Sequence, residues 1–368
     1  MSASFYHPFY LVLITLLTFF VMKDYIKNGG RIHYYNKNYS KKNIAFILSV
    51  FLIFFIGLRP VDEKNFVDMY MYDHSYYTMY YGERFWFNWD TENFLFDNFI
   101  AWMGSMRIEV EYFFLIMALI YFGCMLWACW KLFPQNTLLS FLMYLGAFST
   151  FSFGTNGIKA GVAASLFLIA LAYYKENKAI AILFLWLSLG FHHSMLAPIV
   201  AFMIAHYYKN PKVYLMGWFV CLLLAAVHVT FFMNFFSGFT DDHGASYLEE
   251  ETEDVIRNVS GFRPDFILYS AIPIAIGYFL INTKKIENKT YHFLWCVYTL
   301  TNCVFLLCTY GSFINRIAYL SWLMLPFVLL YPFTNIRWSN RQNQYLKYVV
   351  FGHLGFTLFM FFIYGNLR

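Results

Sequence analysis

Of 368 residues, 60% are hydrophobic and only 13% are charged. A soluble domain carries about 25% charge, so a water-soluble globular fold is excluded, and no polar stretch is long enough for a separate soluble domain. The net charge of +5 comes from short basic clusters between apolar runs. No nucleic-acid-binding signature accompanies it, and the charge is better explained by membrane topology.

The first apolar run, Phe9–Met22, has no basic residue before it and no small-residue cleavage site after it. A retained span is expected there and not a signal peptide. Taking about 20 residues per crossing, the expected spans are 6–22, 43–58, 111–131, 138–154, 157–174, 178–191, 194–208, 213–235, 265–282, 291–310, 313–332 and 345–364. The fold class is therefore all-α: a polytopic transmembrane bundle of about 12 helices, forming one integral membrane domain over 1–368. Residues 179–208 are too long for one ordinary helix and too short for two full ones. With His192-His193-Ser194 in the middle and Pro198 just beyond, they read as two short helices or a re-entrant hairpin with a polar tip. The six cysteines all fall inside apolar runs. They are expected as free thiols, since no spacing resembles a metal site or a disulfide framework.

Charge sets the orientation. The loop 23–42 carries Lys23, Lys27, Arg31, Lys37, Lys41 and Lys42. With it in the cytoplasm, alternate loops hold most of the Lys and Arg, as the positive-inside rule requires. Those loops hold only Asp24, Glu176 and Glu287 of the 21 acidic residues. Counting 179–208 as one span would put Lys284, Lys285, Lys289, Arg337 and Arg341 outside. Both termini and the two long loops, 59–110 and 236–264, are then extracytoplasmic.

Five polar clusters fall on the outward side, where ionisable residues at helix ends are candidates for function. The first is Gly57-Leu58-Arg59-Pro60, followed by Asp62, Asp68, Tyr70 and Tyr72. The Arg59 fork suits phosphate or carboxylate oxygens; a snorkelling Arg paired with Asp62 or Asp68 is the structural alternative. The second, Asp90-Thr91-Glu92-Asn93-Phe94, enters an expected interfacial helix, and its aromatics beside carboxylates suit sugar rings. The third is Asn156-Gly157-Ile158-Lys159. There Gly157, Gly161 and Ser165 make a small-residue stripe for close helix packing, and Lys159 reads as an anion contact or a snorkelling side chain. The fourth is His192-His193-Ser194, where a histidine is either a general base or a structural hydrogen-bonding group. The fifth is Asn315-Arg316-Ile317-Ala318-Tyr319, where a charged Arg among apolar neighbours calls for an anion.

In this order the clusters resemble the EpsG family of Wzy-like bacterial exopolysaccharide and O-antigen polymerases, over about residues 43–333. The matching pieces are Gly57-x-Arg59 with Asp68 and Tyr72, the acidic-aromatic Asp90 to Phe94, Asn156-Gly157-Ile158-Lys159, His192-x-Ser194 and Asn315-Arg316-x-Ala318-Tyr319. Lys159 stands where the family usually has Arg, and Pro60-Val61-Asp62-Glu63 replaces a Gly-containing stretch. The resemblance implies a multi-pass protein of the bacterial inner membrane with its active face outside. It implies a glycosyltransferase-type polymerase that moves a growing undecaprenyl-diphosphate-linked glycan onto a lipid-linked repeat unit. Arg59, Lys159 and Arg316 would stabilise the leaving diphosphate, and His192 or Asp68 would accept the proton. Asn156, Tyr72, Asp90, Glu92, Asn315 and Tyr319 would bind substrate. No metal or other cofactor is called for. Expected partners are undecaprenyl-diphosphate-linked oligosaccharides and membrane lipids, with a flippase and a chain-length regulator as candidates, and no nucleic acid. The rival is a lipid-linked glycan transporter or flippase, which would need charge along a path reaching both faces. An acyltransferase would need an acyl-donor entrance on the cytoplasmic side, where no cluster lies, and a purely structural subunit does not account for the outward Arg, Lys and His.

Overall fold

The computed structural model describes residues 2–27, 41–82, 85–237, 262–311 and 314–365. Among these, all regular structure is helical. In chain order the helices are α1 (Tyr6–Lys27), α2 (Lys42–Gly57), α3 (Val67–Tyr80), α4 (Phe94–Ser105), α5 (Val110–Leu132), α6 (Thr137–Leu145), α7 (Phe148–Thr155), α8 (Ile158–Tyr173) and α9 (Lys178–Phe191). They continue with α10 (Leu196–Tyr207), α11 (Pro211–Ala226), α12 (Phe231–Ser237), α13 (Pro264–Asn282), α14 (Lys289–Leu307), α15 (Ile314–Trp322), α16 (Leu325–Thr334) and α17 (Gln342–Gly365). Each expected span holds an apolar helix. Six are long enough to cross a membrane, a bent pair makes a further one, and five are shorter, at 10–17 residues. The polytopic all-α reading stands.

The structure changes four details. The expected span 138–154 is two helices, α6 and α7, bent by 74° at Gly146-Ala147. The expected span 213–235 stops at Ala226, turns through His228 in a left-handed conformation (φ 59°), and resumes as α12. The span 313–332 is interrupted at Leu323-Met324 between α15 and α16. The segment 59–110 holds two helices, α3 and α4. Within 179–208 the chain breaks where expected, at His192, whose φ of −154° and ψ of 120° are extended. Most of the expected loops 23–42 and 236–264 lies outside the described residues.

The chain divides into two compact units, residues 1–192 with 333–368, and residues 193–332. In the first, α2 packs on α5, α5 on α8, and α8 on α9. Gly57 permits the α2–α5 approach: a Cβ there would lie 2.9 Å from the Leu115 Cα, a backbone contact that cannot yield. The α6–α7 break frees carbonyls in a buried place, where each needs a donor. All are supplied: Tyr10 donates to the Leu145 carbonyl (2.6 Å), Thr357 to Gly146 (2.7 Å), Thr150 to Tyr144 (2.5 Å), and His353 Nε2 to Met143 (2.8 Å).

The basic ends of this unit are tied together. Lys41 pairs with Asp24 (2.6 Å), Lys42 lies 4.5 Å from the Trp130 ring, and Lys131 pairs with Glu176. The start of α2 and the ends of α1, α5 and α8 therefore sit at one level. At the opposite end α3 and α4 form a cap through Tyr72–Phe96, Phe96–Phe113 and Tyr76–Phe113 ring contacts.

The second unit is built around α14, whose Phe293 to Tyr298 are fully buried against α10, α11, α13 and α15. A buried polar chain crosses it. Trp218 donates to Asn302 Oδ1 (2.8 Å), and Asn302 Nδ2 donates to Ser321 (3.0 Å).

Candidate functional site

Pro60 cannot donate an amide hydrogen, so α2 ends before it. Arg59 is left just past the helix, with its side chain turned into the layer and 3% exposed. Its Nη1 donates to the Ile56 carbonyl (2.6 Å) and its Nη2 to the Thr155 carbonyl. The guanidinium faces the Phe66 ring at 5.3 Å and the Phe114 ring at 5.7 Å. Nε is buried without a hydrogen-bond partner, and among the described residues no carboxylate pairs with Arg59. The structural alternative, a pairing with Asp62 or Asp68, is therefore not the arrangement found. Asp62 instead caps its own turn, accepting from the Asn65 amide (2.7 Å) and side chain (2.8 Å), which holds its carboxyl below the usual range. Asp68 sits half-buried in the first turn of α3.

A buried charge without a counter-charge is expensive. An arginine keeps its proton at neutral pH, so this buried group is charged. It opens onto a cavity of about 320 Å³ lined by Tyr6, Leu58, Arg59, Pro60, Val61, Met69, Glu111 and Phe114. That volume lies at the lower end of ligand pockets, about 300–1,000 Å³.

The bond to Thr155 brings the first and third clusters together. Thr155 is the last residue of α7, and Asn156 follows with its Oδ1 buried and unpartnered. Lys159 is half-buried in the first turn of α8. Within the expected stripe, Gly161 lies directly against the Phe153 carbonyl of α7, so this corner is tightly packed.

The α3–α4 cap carries the second cluster. Tyr72 stacks edge-on to Phe96 at 5.3 Å. Asp90 and Glu92 are exposed, and Asn93 is the buried residue at the start of α4. Asn98 pins the entry strand of chain by donating to the carbonyls of Asn88 and Phe94, both at 2.6 Å, and accepting from the Asn88 amide at 2.7 Å. This leaves Trp86 and Trp89 exposed beside the two carboxylates. Asp73, on α3, has its carboxyl raised by burial and by nearby Glu111.

His192 is placed at the same end of this unit. It caps α9 by donating its amide to the Ser188 carbonyl (3.2 Å) and is half-buried. Two residues earlier, Gly190 is pressed against Leu95 and Phe94 of α4; a Cβ there would meet Leu95 at 2.7 Å. Arg59, Asn156, Lys159, the α3–α4 cap and His192 thus share one end of the first unit.

His193, Ser194, Asn315, Arg316 and Tyr319 belong to the second unit. Arg316 is half-buried in the first turn of α15. Asn315 Oδ1 beside it is buried and unpartnered, and Tyr319 is buried against Trp322 at 5.8 Å. In the same unit His228 stacks on Tyr310 at 3.8 Å. Ser312 lies outside the described residues.

Sequence reasoning missed Tyr6, Glu111 and the Thr155 carbonyl. Tyr6 opens α1 with no motif around it, and Glu111 reads as an ordinary acidic residue in a helix's first turn.

The model of the EpsG family matches residues 42–367, which takes in every helix but α1. No curated protein and no solved structure matches the chain.

Proposed function

The chain belongs to the EpsG family, and from that premise we propose that this membrane protein of polysaccharide biosynthesis is the polymerase itself. It transfers a growing glycan from undecaprenyl diphosphate to the nonreducing end of a new lipid-linked repeat unit, at the outer face of the bacterial inner membrane. The observation that carries this reading is Arg59: a buried guanidinium that no carboxylate pairs with among the described residues, an unpartnered Nε, and a cavity in front of it.

In the transfer, the bond from the donor's anomeric carbon to the diphosphate oxygen breaks, and the acceptor hydroxyl oxygen bonds to that carbon. The diphosphate leaves with the electron pair. Fixed cations aimed at this developing charge lower the barrier; Arg59 serves first, with Lys159 beside the Asn156 corner, and Arg316 is the second unit's candidate for the same ligand chemistry. The hydroxyl proton goes to His192 or to a carboxylate such as Asp68. Tyr72, Asn156, Asp90 and Glu92 are the first unit's proposed sugar and phosphate contacts; Asn315 and Tyr319 are the second unit's candidates. For His192 as the base, His192→Gln keeps the protein folded and abolishes polymer; near-normal polymer in that variant would move the role to a carboxylate.

Helix length supports a lipid-borne substrate. Arg59, Lys159 and His192 sit at ends of α2, α8 and α9, of 16, 16 and 14 residues. These rise only about 21–24 Å, against about 30 Å of hydrocarbon. The contacts at the basic ends level α2, α5 and α8 there, so the shortfall falls at the Arg59 end. A site recessed about 6–9 Å below the membrane surface suits a diphosphate anchored by a polyprenyl chain.

The test is the pool of lipid-linked intermediates in cells lacking the protein. Loss of polymerisation leaves single repeat units on the lipid at the outer leaflet. Repeats held at the inner leaflet would indicate lost transport instead.

A further inference from the structure

Tyr6 and Glu111 line the Arg59 cavity without belonging to any motif, and neither has a settled role within the fold. Tyr6 is 7% exposed, held by stacking on Phe55 (4.7 Å) and edge contact with Phe66 (6.1 Å). An interfacial tyrosine would present its hydroxyl to headgroups or water. The Tyr6 ring is buried, while its hydroxyl, without a hydrogen-bond partner among the described residues, is not closed off and faces the cavity. Phe66 touches both Tyr6 and Arg59, so the phenol and the guanidinium share one aromatic wall.

Glu111 is exposed in the first turn of α5. A carboxylate at a helix start complements the helix dipole, and that alone would explain it on an open surface. It shares a cavity with an unpaired guanidinium, however, and among the described residues no cation pairs with Glu111. A cation and an anion that line one small cavity without neutralising each other leave room for a ligand with matching ends. One end must be anionic and accept hydrogen bonds; the other must donate them.

We propose that Tyr6 and Glu111 complete the Arg59 site: the Tyr6 hydroxyl donates to an oxygen of the diphosphate held by Arg59, and Glu111 accepts a hydroxyl of the attached sugar. The assignment rests on the polymerase reading for the identity of the ligand. It adds that α1, the helix outside the family match, supplies a ligand contact, so the site is not contained in the matched region.

The two contacts separate in one experiment on the full-length protein in detergent and in membranes. Binding of farnesyl diphosphate reports the anionic end, and the KM for the lipid-linked repeat unit in a membrane polymerisation assay reports the sugar end. Tyr6→Phe keeps the ring contacts and loses the donor, so farnesyl diphosphate affinity falls about tenfold or more. Glu111→Gln keeps the shape and removes the charge. It leaves farnesyl diphosphate affinity unchanged or raised, while the KM for the repeat unit rises about tenfold. Arg59→Ala is the reference. If it loses probe binding while Tyr6→Phe and Glu111→Gln match the wild type in both assays, the assignment of these two residues is overturned and the polymerase reading stands. If Arg59→Ala binds the probe and polymerises normally, the reading beneath the assignment is overturned as well.

Discussion

Arg59 is the residue on which fold and function pull in opposite directions. Its side chain is buried and bonded to the Ile56 and Thr155 carbonyls, but its charge has no counter-charge among the described residues. Removing a buried charge that has no counter-charge relieves a desolvation cost of several kcal/mol, which outweighs the cost of about 1–3 kcal/mol for a Thr155 carbonyl left without its donor. Arg59→Met is therefore expected to unfold at the same temperature as the wild type or higher, and to make no polymer. A thermal-unfolding curve in detergent beside a polymer assay checks it; lost stability with retained polymer would mean that Arg59 serves the fold and not the transfer. Asp73 gives the pH dependence. Burial and Glu111 raise its carboxyl above 3.8, so ionisation opposes the folded cap. The penalty is absent below the ordinary value, where the carboxyl is protonated folded or unfolded, and present in full above the raised one. Asp73→Asn should slow proteolysis of the 59–110 segment at pH 7, with the gain disappearing below about pH 4. At this scale the sequence singled out Arg59, an arginine just before a proline at the end of an apolar run, but left open whether it binds an anion or snorkels to Asp62 or Asp68. It could not announce Tyr6 or Glu111, whose neighbours along the chain say nothing about the cavity they line.

Among the elements, the broken pair α6–α7 was the least legible. Gly146 inside an apolar run reads as a tolerated glycine, and the donors that make the break sustainable lie far away in sequence, at Tyr10, His353 and Thr357. The α9 break at His192 was legible because two histidines and a proline interrupt a run of unsuitable length. If the donors sustain the α6–α7 break, Tyr10→Phe and Thr357→Val should each lower stability by about 1–3 kcal/mol, the cost of a buried carbonyl left unsatisfied. Thermal shift in detergent measures this, and a double variant no less stable than the wild type would mean that another donor serves. Of the short helices α2, α8 and α9, only α9 was expected to be short, as half of the 179–208 pair. The proposed recess at the Arg59 end was not legible, because it rests on contacts that level the other end, such as Lys42 on Trp130 and Lys131 with Glu176.

For the whole molecule, composition alone gave the membrane class, and Lys and Arg placement gave an orientation. The structure adds that the first unit gathers Lys41, Lys42 and Lys131 at one end and Arg59, Lys159 and His192 at the other. This is the separation that an enzyme working on one face needs. Cysteines placed at Asn65 and Asn288 test the orientation. Asn65 should react with an impermeant reagent in intact cells, and Asn288 only after permeabilisation; the opposite pattern would invert the chain. The central claim, that the Arg59 cavity holds the lipid diphosphate of a polymerising glycan, is tested most directly in cells whose only copy carries Arg59→Met. The measurement is the length distribution of lipid-linked glycan at wild-type protein abundance. Single repeat units on the lipid and no polymer are expected; polymer of normal length would mean that the Arg59 cavity does not hold the diphosphate.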